Sequence, residues 1–479
     1  MAPPPVGTAR TKSAQIIREN QMNIEKLRVA IKGAVIPAGD PAWESSADEL
    51  LWNGRKAPVR PALIVRAAGV GDVIAAVRFA ALEGIRISPR GGGHNLSGIA
   101  RQEGMVLDLG ALNHVRIDAS ARIAEVGPAV TNGELAEALE AQGLAFPVGH
   151  CATVPMSGYL LGGGVGWNSG NWGFGIANVE SIDVVLADGV VRRASAAENP
   201  DIFWAARGAG PEFFGVVVGY RLRLQPLPRA ISTVVRVYPL AEVGQVTTWM
   251  KAAMEVVPSH VEFTAAIQSA PGSGGAVKVI AAVATVFADD PAEASRLHVE
   301  IAALAPTDAL VVEDEMPTPF AVLYDIIGQF FPVGHRYAVD SAWSADGSDA
   351  YITGLADGIA TAPSATSFAL AVVFPPNRPR PPEAAFSIHA PVWGCIYTVW
   401  EDAGDDAANL AWLRRTADAV EAQVQGHYVG EADLERPERR RACHTPEVLL
   451  RLQAMQKTFD PQGIFSRPLP KASFGLDAA

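Results

Sequence analysis

Three consecutive glycines precede a histidine in the stretch PRGGGHNLSG, Pro89–Gly98. Glycine tolerates φ > 0 and lets another group approach the backbone closely, so Gly91, Gly92 and Gly93 predict a tight loop around something bulky. His94 would contact that group. The loop therefore predicts a binding site in which an imidazole touches a large ligand.

A second glycine-rich stretch, residues 149–175, carries Cys151 near its start. Several of its backbone N–H groups could converge on one anion, as phosphate-binding nests do. The glycines concerned are Gly162, Gly163, Gly164 and Gly166. Two such loops in one part of the chain predict a large phosphorylated ligand.

Two other interpretations of these glycines are weaker. A nicotinamide site needs a GxGxxG turn that opens a helix directly after a strand, with an acidic residue about twenty positions further on. The segment GGGVGWNSGNWG has a different glycine spacing and continues into aromatic, Asn and Ser residues that form a poor helix. Glycines that serve only turns would not explain two clusters in the same region.

The segments around these loops alternate between strands and helices. PALIVRA predicts a strand, GVGDVIAAVRFAALEGI has helical spacing and ends on a glycine, and RISPRGGGH predicts a strand that runs into the first loop. TNGELAEALEAQGL predicts a helix that begins at Thr131 or Asn132 and ends at Gly143. Asp188 and Gly189 lie between two apolar runs and predict a hairpin turn. The first half is therefore a compact α+β unit.

The pattern changes beyond Pro226 and Pro228, which interrupt a strand and mark a domain boundary. AISTVVRVYPL and GAVKVIAAVATVF predict long strands, and DPAEASRLHVEIAAL predicts a helix beside them. These elements predict a second domain built on an antiparallel sheet. Near the end, TPEVLLRLQAMQKTF predicts an amphipathic helix that stops at Asp460 and Pro461.

Charge and hydropathy argue against several classes of partner. The 479 residues carry a formal charge of −12, and basic residues cluster only at Arg436–Arg441, so nucleic acid is not an expected partner. The N-terminus has prolines where a signal peptide needs an apolar run, and no run of about 18 apolar residues could span a bilayer. We therefore expect a cytoplasmic protein that does not bind membranes.

Cysteine and histidine spacing predicts no metal site. Cys151, Cys395 and Cys443 cannot all pair and contain no CxxC arrangement, so neither a disulfide scaffold nor a zinc site is expected. His427, Cys443 and His444 lie close together in sequence but lack the spacing of metal ligands.

Three motifs, in order along the chain, resemble one protein family. PRGGGHN, GHCATVPMSGYLLGGGVG and DIFWAARGAGPEFFGVVVGYRLRL are similar to the FAD-binding domain of the vanillyl-alcohol-oxidase/PCMH superfamily, and most similar to its berberine-bridge-enzyme-like branch. The resemblance extends to YTVWEDAGDDAANLAWLRRTADAV and TFDPQGIF, so it covers almost the whole chain beyond residue 45.

The resemblance implies an α+β fold with two domains. A PCMH-type FAD-binding domain of two α/β subdomains would span residues 46–227, after an N-terminal extension and helix over 1–45. A substrate domain, an antiparallel sheet covered by helices, would span 228–425. Residues 426–479 would return to complete the FAD-binding domain.

The resemblance also implies a bicovalently held FAD. In this family the histidine after the glycine loop and a cysteine in the second loop both bond to the isoalloxazine ring, and His94 and Cys151 occupy these positions. The alternatives are a hydrogen-bonded loop histidine and a buried free thiol. The other residues expected to contact FAD are Arg90, Gly91, Gly92, Gly93, Asn95, Val154, Gly158, Gly162, Gly163, Gly164 and Gly166.

Several residues depart from the pattern of the branch. Pro155 and Ser157 stand where the branch usually has glycines, Gly170 where arginine is common, and Ala177 where aspartate is common. Val154 matches the position that in this branch admits oxygen to the flavin. The resemblance therefore favours an oxidase, with the edge of the flavin shaped differently.

Oxidation of an alcohol or phenol by a flavin requires a base for the hydroxyl proton. Tyr428 matches the first tyrosine of an aromatic-Asn-aromatic stretch of the branch, whereas Gly430 replaces the asparagine, and Glu431 is a second candidate base. Strand alternation puts Trp393 and Tyr397 on one face. Further candidates for the pocket are His335, Tyr337, His389 and Trp400, although an aromatic residue in such a position is more often part of the core than a ligand contact.

These observations favour a flavin-dependent oxidase of an alcohol, phenolic, sugar or secondary-metabolite substrate that returns electrons to O2 as H2O2. Its expected partners are a small-molecule substrate and O2, and it would be a monomer or homodimer. One alternative is a dehydrogenase with another electron acceptor. A protein that binds flavin without turnover is a further alternative.

Overall fold

The computed structural model describes residues 23–345 and 349–465. Its helices are α1 (residues 23–30), α2 (Trp43–Glu49), α3 (Val70–Glu83), α4 (Asn132–Glu140), α5 (Met156–Gly162), α6 (Ser169–Trp172), α7 (Pro200–Ala206), α8 (Val243–Val256), α9 (Pro291–Ala302), α10 (Phe320–Gly328), α11 (Asp349–Ala360), α12 (Asp406–Ala419), α13 (Pro437–Arg441) and α14 (Pro446–Phe459). Within these residues, no helix has the length and apolar composition needed to cross a bilayer.

The strands form two larger sheets in the first half of the chain, one two-stranded pairing, and one large sheet in the second half. They are β1 (Ala34–Pro37), β2 (Leu63–Arg66), β3 (Ile87–Arg90), β4 (Met105–Asp108), β5 (Val115–Asp118), β6 (Ile123–Val126), β7 (Leu144–Ala145), β8 (Val179–Leu186), β9 (Val191–Ser195), β10 (Gly215–Arg223), β11 (Gln225–Pro226), β12 (Ala230–Pro239), β13 (Val261–Ser269), β14 (Lys278–Ala288), β15 (Val311–Pro317), β16 (Arg336–Ser344), β17 (Phe368–Val373), β18 (Val392–Trp400) and β19 (Val424–Gly426).

The first sheet has the order β1-β2-β4-β3, in which β2, β4 and β3 are parallel. Helix α3 connects β2 to β3 and buries Val73, Val77 and Ala80 against this sheet. The PRGGGH stretch therefore leaves the sheet at the end of β3, where the carboxyl ends of the parallel strands meet. Loops at this edge of a parallel sheet commonly hold ligands.

The second sheet, β5-β6-β10-β8-β9, is antiparallel and confirms two local predictions. Strands β8 and β9 form the expected hairpin, with Gly189 at φ +68° in the turn. Helix α4 begins after Thr131, whose hydroxyl accepts the backbone N–H of Glu134 in a capping box. The helix ends at Glu140, and Gly143 takes φ +67° shortly after it.

The second half of the chain folds on an eight-stranded antiparallel sheet of order β15-β12-β14-β13-β17-β18-β16-β19. Helices α8, α9, α11 and α12 cover one face and share a core with the side chains that point toward them. Because side chains alternate between faces of a strand, the other half of the residues point to the opposite face. This mixture of sheets and helices confirms the α+β class, and it leaves the second face of the large sheet turned toward the glycine loops.

Candidate active site

A cavity of about 880 Å³ lies between the two glycine-bearing loops and the helix-free face of the eight-stranded sheet. His94 and Cys151 line it from the loops, and Tyr397 lines it from β18. Tyr428 and Glu431, on the segment after β19, complete the same wall. Residues from four distant parts of the chain thus meet around one space.

His94 and Cys151 lie side by side although 57 positions separate them. The Cys151 Sγ is 3.8 Å from His94 Nε2, and the Thr153 hydroxyl lies 2.9 Å from that nitrogen and 3.4 Å from the sulfur. The indole of Trp52 stacks on the His94 ring at 4.4 Å. Burial lowers the pKa of His94 to about 4 and raises the pKa of the Cys151 thiol. At neutral pH the pair is therefore an uncharged imidazole beside a protonated thiol.

Arg90, the last residue of β3, anchors the loop that carries His94. Its Nη1 donates to Asp108 Oδ1 at 2.8 Å and its Nε donates to the carbonyl of Leu50 at 2.9 Å. Gly93 takes φ +66°, and a Cβ there would lie 1.8 Å from the same Leu50 oxygen. Only glycine fits at this position.

The backbone N–H groups of residues 91–95 have no hydrogen-bond acceptor within the described part of the chain, although all five residues line the cavity. A run of unpaired N–H donors facing a cavity suits an anionic ligand such as a pyrophosphate. The chemistry of the first loop therefore fits the phosphorylated ligand that its sequence predicts.

Two of the sequence departures, Pro155 and Ser157, lie directly over the first loop. A Cβ on Gly92 would be 2.4 Å from Pro155 Cγ, and a Cβ on Gly91 would be 2.0 Å from Ser157 Oγ. The side chains at 155 and 157 thus occupy space that glycine at 91 and 92 leaves free. The two loops are fitted to each other as well as to a ligand.

The glycines of the second loop divide into two groups. Gly158 and Gly162 line the cavity, and a Cβ on Gly158 would meet nothing within 4 Å. Gly163, Gly164 and Gly166 do not line it. They pack against Phe386, Gly175 and the Val148 carbonyl respectively, so their backbones are not arranged around one anion as the sequence predicted.

Glu431 is the centre of a small hydrogen-bonded cluster. Its Oε2 accepts the Tyr397 hydroxyl at 2.7 Å and the Cys395 thiol at 2.9 Å. Burial raises the pKa of Glu431, and these two donors oppose that rise. Burial also raises the pKa of Tyr397 and of Cys395, so both remain donors. The arrangement is a desolvated carboxylate with two protonated neighbours, exposed to the cavity.

Tyr428 lies in the same wall but points elsewhere. Its hydroxyl oxygen accepts the backbone N–H of Val165 at 3.4 Å, and its ring contacts Trp393 edge-on at 5.9 Å. Burial raises the pKa of Tyr428, with a further rise from Glu431. A Cβ on Gly430 would lie 2.7 Å from this ring, so glycine lets the chain turn closely around it.

Four residues predicted near the pocket do not line the cavity, namely Trp400, His335, His389 and Tyr337. Trp400 is three positions after Tyr397 on β18, so it points to the helix-covered face, where it donates to Asp406 at 2.8 Å. His335 lies in the surface loop before β16 and pairs with Glu401 at 3.3 Å. His389 stacks near Phe386, outside the cavity.

Other predicted residues are placed as follows. Asn95 and Val154 line the cavity, and Asn95 Nδ2 donates to the Gly430 carbonyl at 3.4 Å. Trp393 lines the cavity on the same face as Tyr397. Tyr337 is buried in the core beside Trp52, with its hydroxyl on the Pro332 carbonyl.

Sequence reasoning missed a second polar pair, one member of which reaches the cavity. His150 lines the cavity, and its Nε2 is 2.9 Å from Oε1 of Glu262, a buried residue of β13. The Trp167 ring packs edge-on against His150 at 4.2 Å. No local signal could reveal this pair, because its members are 112 positions apart and Glu262 interrupts an otherwise ordinary strand.

Comparison with known proteins agrees with this geometry. Residues 61–195 match the family model of the FAD binding domain. The chain is 30% identical over 397 residues to the FAD-linked oxidoreductase nodO of Hypoxylon pulicicidum, covering 81% of this chain and 86% of that protein. It is 39% identical over 202 residues to the (R)-6-hydroxynicotine oxidase of Paenarthrobacter nicotinovorans, covering 42% and 43% of the two chains.

Solved structures show the same fold. The 6-hydroxy-D-nicotine oxidase of Arthrobacter nicotinovorans superposes with a TM-score of 0.79 at 24% identity, over 91% of this chain and 96% of that chain. The berberine-bridge-enzyme-like protein 1 of Physcomitrella patens superposes with a TM-score of 0.80 at 21% identity, over 93% and 99%.

The contact between the two loops predicts a compensating pair of substitutions. Gly92→Ala should lower the free energy of unfolding by about 1–3 kcal/mol, because the new methyl overlaps the Pro155 ring. Adding Pro155→Gly should recover most of that loss. Gly71→Ala in α3, where a Cβ meets nothing within 4 Å, is the matched control. Denaturant unfolding measures the wild type, Gly92→Ala, Pro155→Gly, the double variant and the control, and an equal loss from Gly92→Ala with and without Pro155 would contradict the contact.

Proposed function

Because the chain belongs to the FAD-linked oxidoreductases, we propose that it is a covalent-flavin oxidase of the berberine-bridge-enzyme-like branch of the vanillyl-alcohol-oxidase/PCMH superfamily and that it produces H2O2. The proposal includes attachment through His94 and Cys151 and a base at Glu431. The observation that carries it is the meeting of these three side chains on one cavity wall. When bound, FAD supplies a two-electron acceptor that takes hydride from the substrate carbon and passes both electrons to O2.

The proposed attachment rests on the geometry of His94 and Cys151. Burial keeps the imidazole neutral, so a ring nitrogen has a lone pair for bond formation at neutral pH. The Thr153 hydroxyl contacts His94 Nε2 and Cys151 Sγ and can exchange a proton with either group. Each attachment would remove one hydrogen from the protein atom and one from the flavin carbon that it joins, and O2 would accept these two protons and two electrons to give H2O2.

Glu431 is the base that the contacts favour. It lines the cavity, and a raised pKa makes it a better acceptor for a hydroxyl proton than an ordinary carboxylate. Tyr397 and Cys395 hold the acceptor in one orientation. Tyr428, by contrast, keeps its own proton and directs its oxygen to the Val165 amide, which favours a positioning role for it.

A dehydrogenase that uses another electron acceptor is the second candidate. Val154, at the position that admits oxygen in the branch, lines the cavity, but the neighbouring Pro155 ring lies close over Gly92. The Pro155 ring therefore narrows the path along the first loop by which O2 would reach the cavity. Comparison of flavin reoxidation by O2 and by an artificial quinone separates the two: fast reoxidation in air supports the oxidase, and reoxidation by the quinone alone supports the dehydrogenase.

The covalent attachment can be tested by acid precipitation and intact mass. Wild-type protein should keep its yellow colour in the precipitate and gain the mass of one FAD. His94→Ala and Cys151→Ala should each retain the flavin through the remaining bond, and only the double variant should release it. Cys443→Ala, a buried cysteine outside the cavity, is the control. Release of all flavin from the wild type into the acid supernatant would disprove the attachment.

The role of Glu431 can be tested with any compound that an H2O2-coupled screen identifies. Glu431→Gln should slow flavin reduction by about 10²–10⁴-fold, the usual contribution of a positioned base. The wild-type rate should fall as pH drops through the raised pKa of Glu431, because protonation removes the base.

The Cys395 thiol supplies a matched variant for this base. Its hydrogen bond lowers the pKa of Glu431, so Cys395→Ala should raise that pKa and move the acid limb of the pH profile to higher pH. The rate on the alkaline plateau should change little. An unshifted acid limb in Cys395→Ala, or a Glu431→Gln enzyme as fast as the wild type, would assign the base elsewhere.

A further inference from the structure

The floor of the cavity is made by the helix-free face of the large sheet, and its side chains fall into rows across the strands. Strand register aligns one row from β12 through β14, β13 and β17 to β18. The residues of this row are Val237, Ala281, Ala266, Leu370 and Cys395. No member of the row carries a charge or a hydroxyl group.

The neighbouring row is also mostly apolar. It consists of Val235, Val283, Thr264, Val372 and Trp393, with a single hydroxyl among five side chains. All members of this second row line the cavity, as do those of the first row except the fully buried Cys395. The two rows therefore form one apolar surface, which we call the floor.

The floor is long and leads to the proposed base. Adjacent strands are about 4.8 Å apart, so the four steps from β12 to β18 span about 19 Å. At the β18 end, the Cys395 thiol donates to Glu431, and Tyr397 lies two positions further along the same face. Ala266 and Ala281 are neighbours in the middle of the row. Their side chains are smaller than those of Val237 and Leu370 on either side, so the floor has a shallow depression there.

A further wall of the cavity is equally apolar, and its Phe331 ring packs edge-on against Tyr397 at 5.1 Å. Helix α10 and the residues after it turn Ile326, Ile327, Phe330 and Phe331 toward the cavity. The charged side chains among the described lining residues are Arg90, Glu313 and Glu431, apart from the two histidines. Arg90 belongs to the glycine loop, and Glu313 lies exposed on the edge strand β15, at the outer rim. Within the two rows of the floor, the hydrogen-bonding groups are the Thr264 hydroxyl, the Trp393 indole N–H and the Cys395 thiol. The other uncharged polar side chains of the lining, such as Thr233, Thr285, Gln268 and Gln329, lie outside these rows.

From this layout we infer that the substrate is an elongated, mainly hydrocarbon molecule with its oxidisable polar group at one end. The inference rests on the proposed function, since it places that polar group beside Glu431. A sugar in the same position would bury hydroxyl groups that find almost no partners on the floor, which is unfavourable. A hydrocarbon body exchanges water for the valine, alanine and leucine side chains, which is favourable. The exposed Leu310 and Val311 at the rim extend this surface to the entrance.

Equilibrium binding to the holoenzyme tests this inference with three probes, followed by protein fluorescence and flavin absorbance. Geraniol and farnesol carry the same allylic alcohol and differ by one isoprene unit, and xylobiose is a polar molecule of similar size. Farnesol should bind about tenfold or more tightly than geraniol, because the added unit covers more of the floor. Xylobiose should not bind measurably. Equal affinity for the two alcohols, or preferential binding of xylobiose, would overturn the inference.

Two variants of the same type locate the binding surface. Val237→Asn changes the far end of the row and should weaken farnesol about tenfold while leaving geraniol, which is too short to reach β12, unchanged. Val312→Asn, on the exposed side of β15 and outside the cavity lining, should change neither. If Val237→Asn folds poorly, Val235→Asn on the adjacent row provides the same comparison. A farnesol affinity that neither cavity variant alters would place the alcohol elsewhere.

Flavin content and reoxidation in air keep this inference separate from the proposed function. An enzyme that holds covalent flavin and reoxidises in air, yet shows no dependence on chain length, refutes the hydrocarbon substrate and leaves the oxidase intact. An enzyme that prefers farnesol but releases its flavin in acid, or fails to react with O2, supports the hydrocarbon substrate and refutes the covalent-flavin oxidase.

Discussion

The whole site depends on the close fit between two loops that are far apart in sequence. Gly91 and Gly92 leave space that Ser157 and Pro155 fill, and this contact brings the His94 imidazole to the Cys151 thiol. A side chain on either glycine would push the loops apart, because interiors tolerate little overpacking. The glycine triplet therefore serves two needs at once: it leaves backbone N–H groups free to face the cavity, and it accepts a neighbouring loop at contact distance.

The large sheet is the second constraint, because each strand packs one face against helices and turns the other face toward the cavity. On β18, Trp400 and Ile396 join the core under the helices, whereas Cys395 and Tyr397 face the cavity. The alternation is strict along β12, β14 and β13 as well, so one face gains stability from helix packing and the other is free to bind a ligand. Glu262 is a charged residue on the otherwise mostly apolar cavity-side face of β13. Its carboxylate is paired with His150 and accepts the backbone N–H of Asn168.

The sequence predicted the parts of this arrangement whose signals are local. Hydrophobic periodicity, the Thr131 cap and the Asp188-Gly189 turn identify their elements because each depends on residues a few positions apart. Long-range placement was harder to predict. The glycines at 163, 164 and 166 have the composition of a phosphate loop, but Phe386, Gly175 and the Val148 carbonyl pack against them, and no spacing rule gives those contacts. Likewise His335 and Trp400 have suitable side chains, yet a surface loop and the strand alternation direct them away from the cavity.

The apolar floor gives the carboxylate at its end, Glu431, surroundings of low dielectric constant. Desolvation raises the pKa of Glu431, and the Tyr397 and Cys395 donors compensate for part of the cost of an ionised group there. A hydrocarbon body on the floor would displace the remaining water and leave the charge with those two donors alone. Transfer of the substrate proton to Glu431 then neutralises that charge in a medium that disfavours it. Substrate binding would thus increase the driving force for the proton transfer that the reaction requires, and a polar substrate that carried water with it would not.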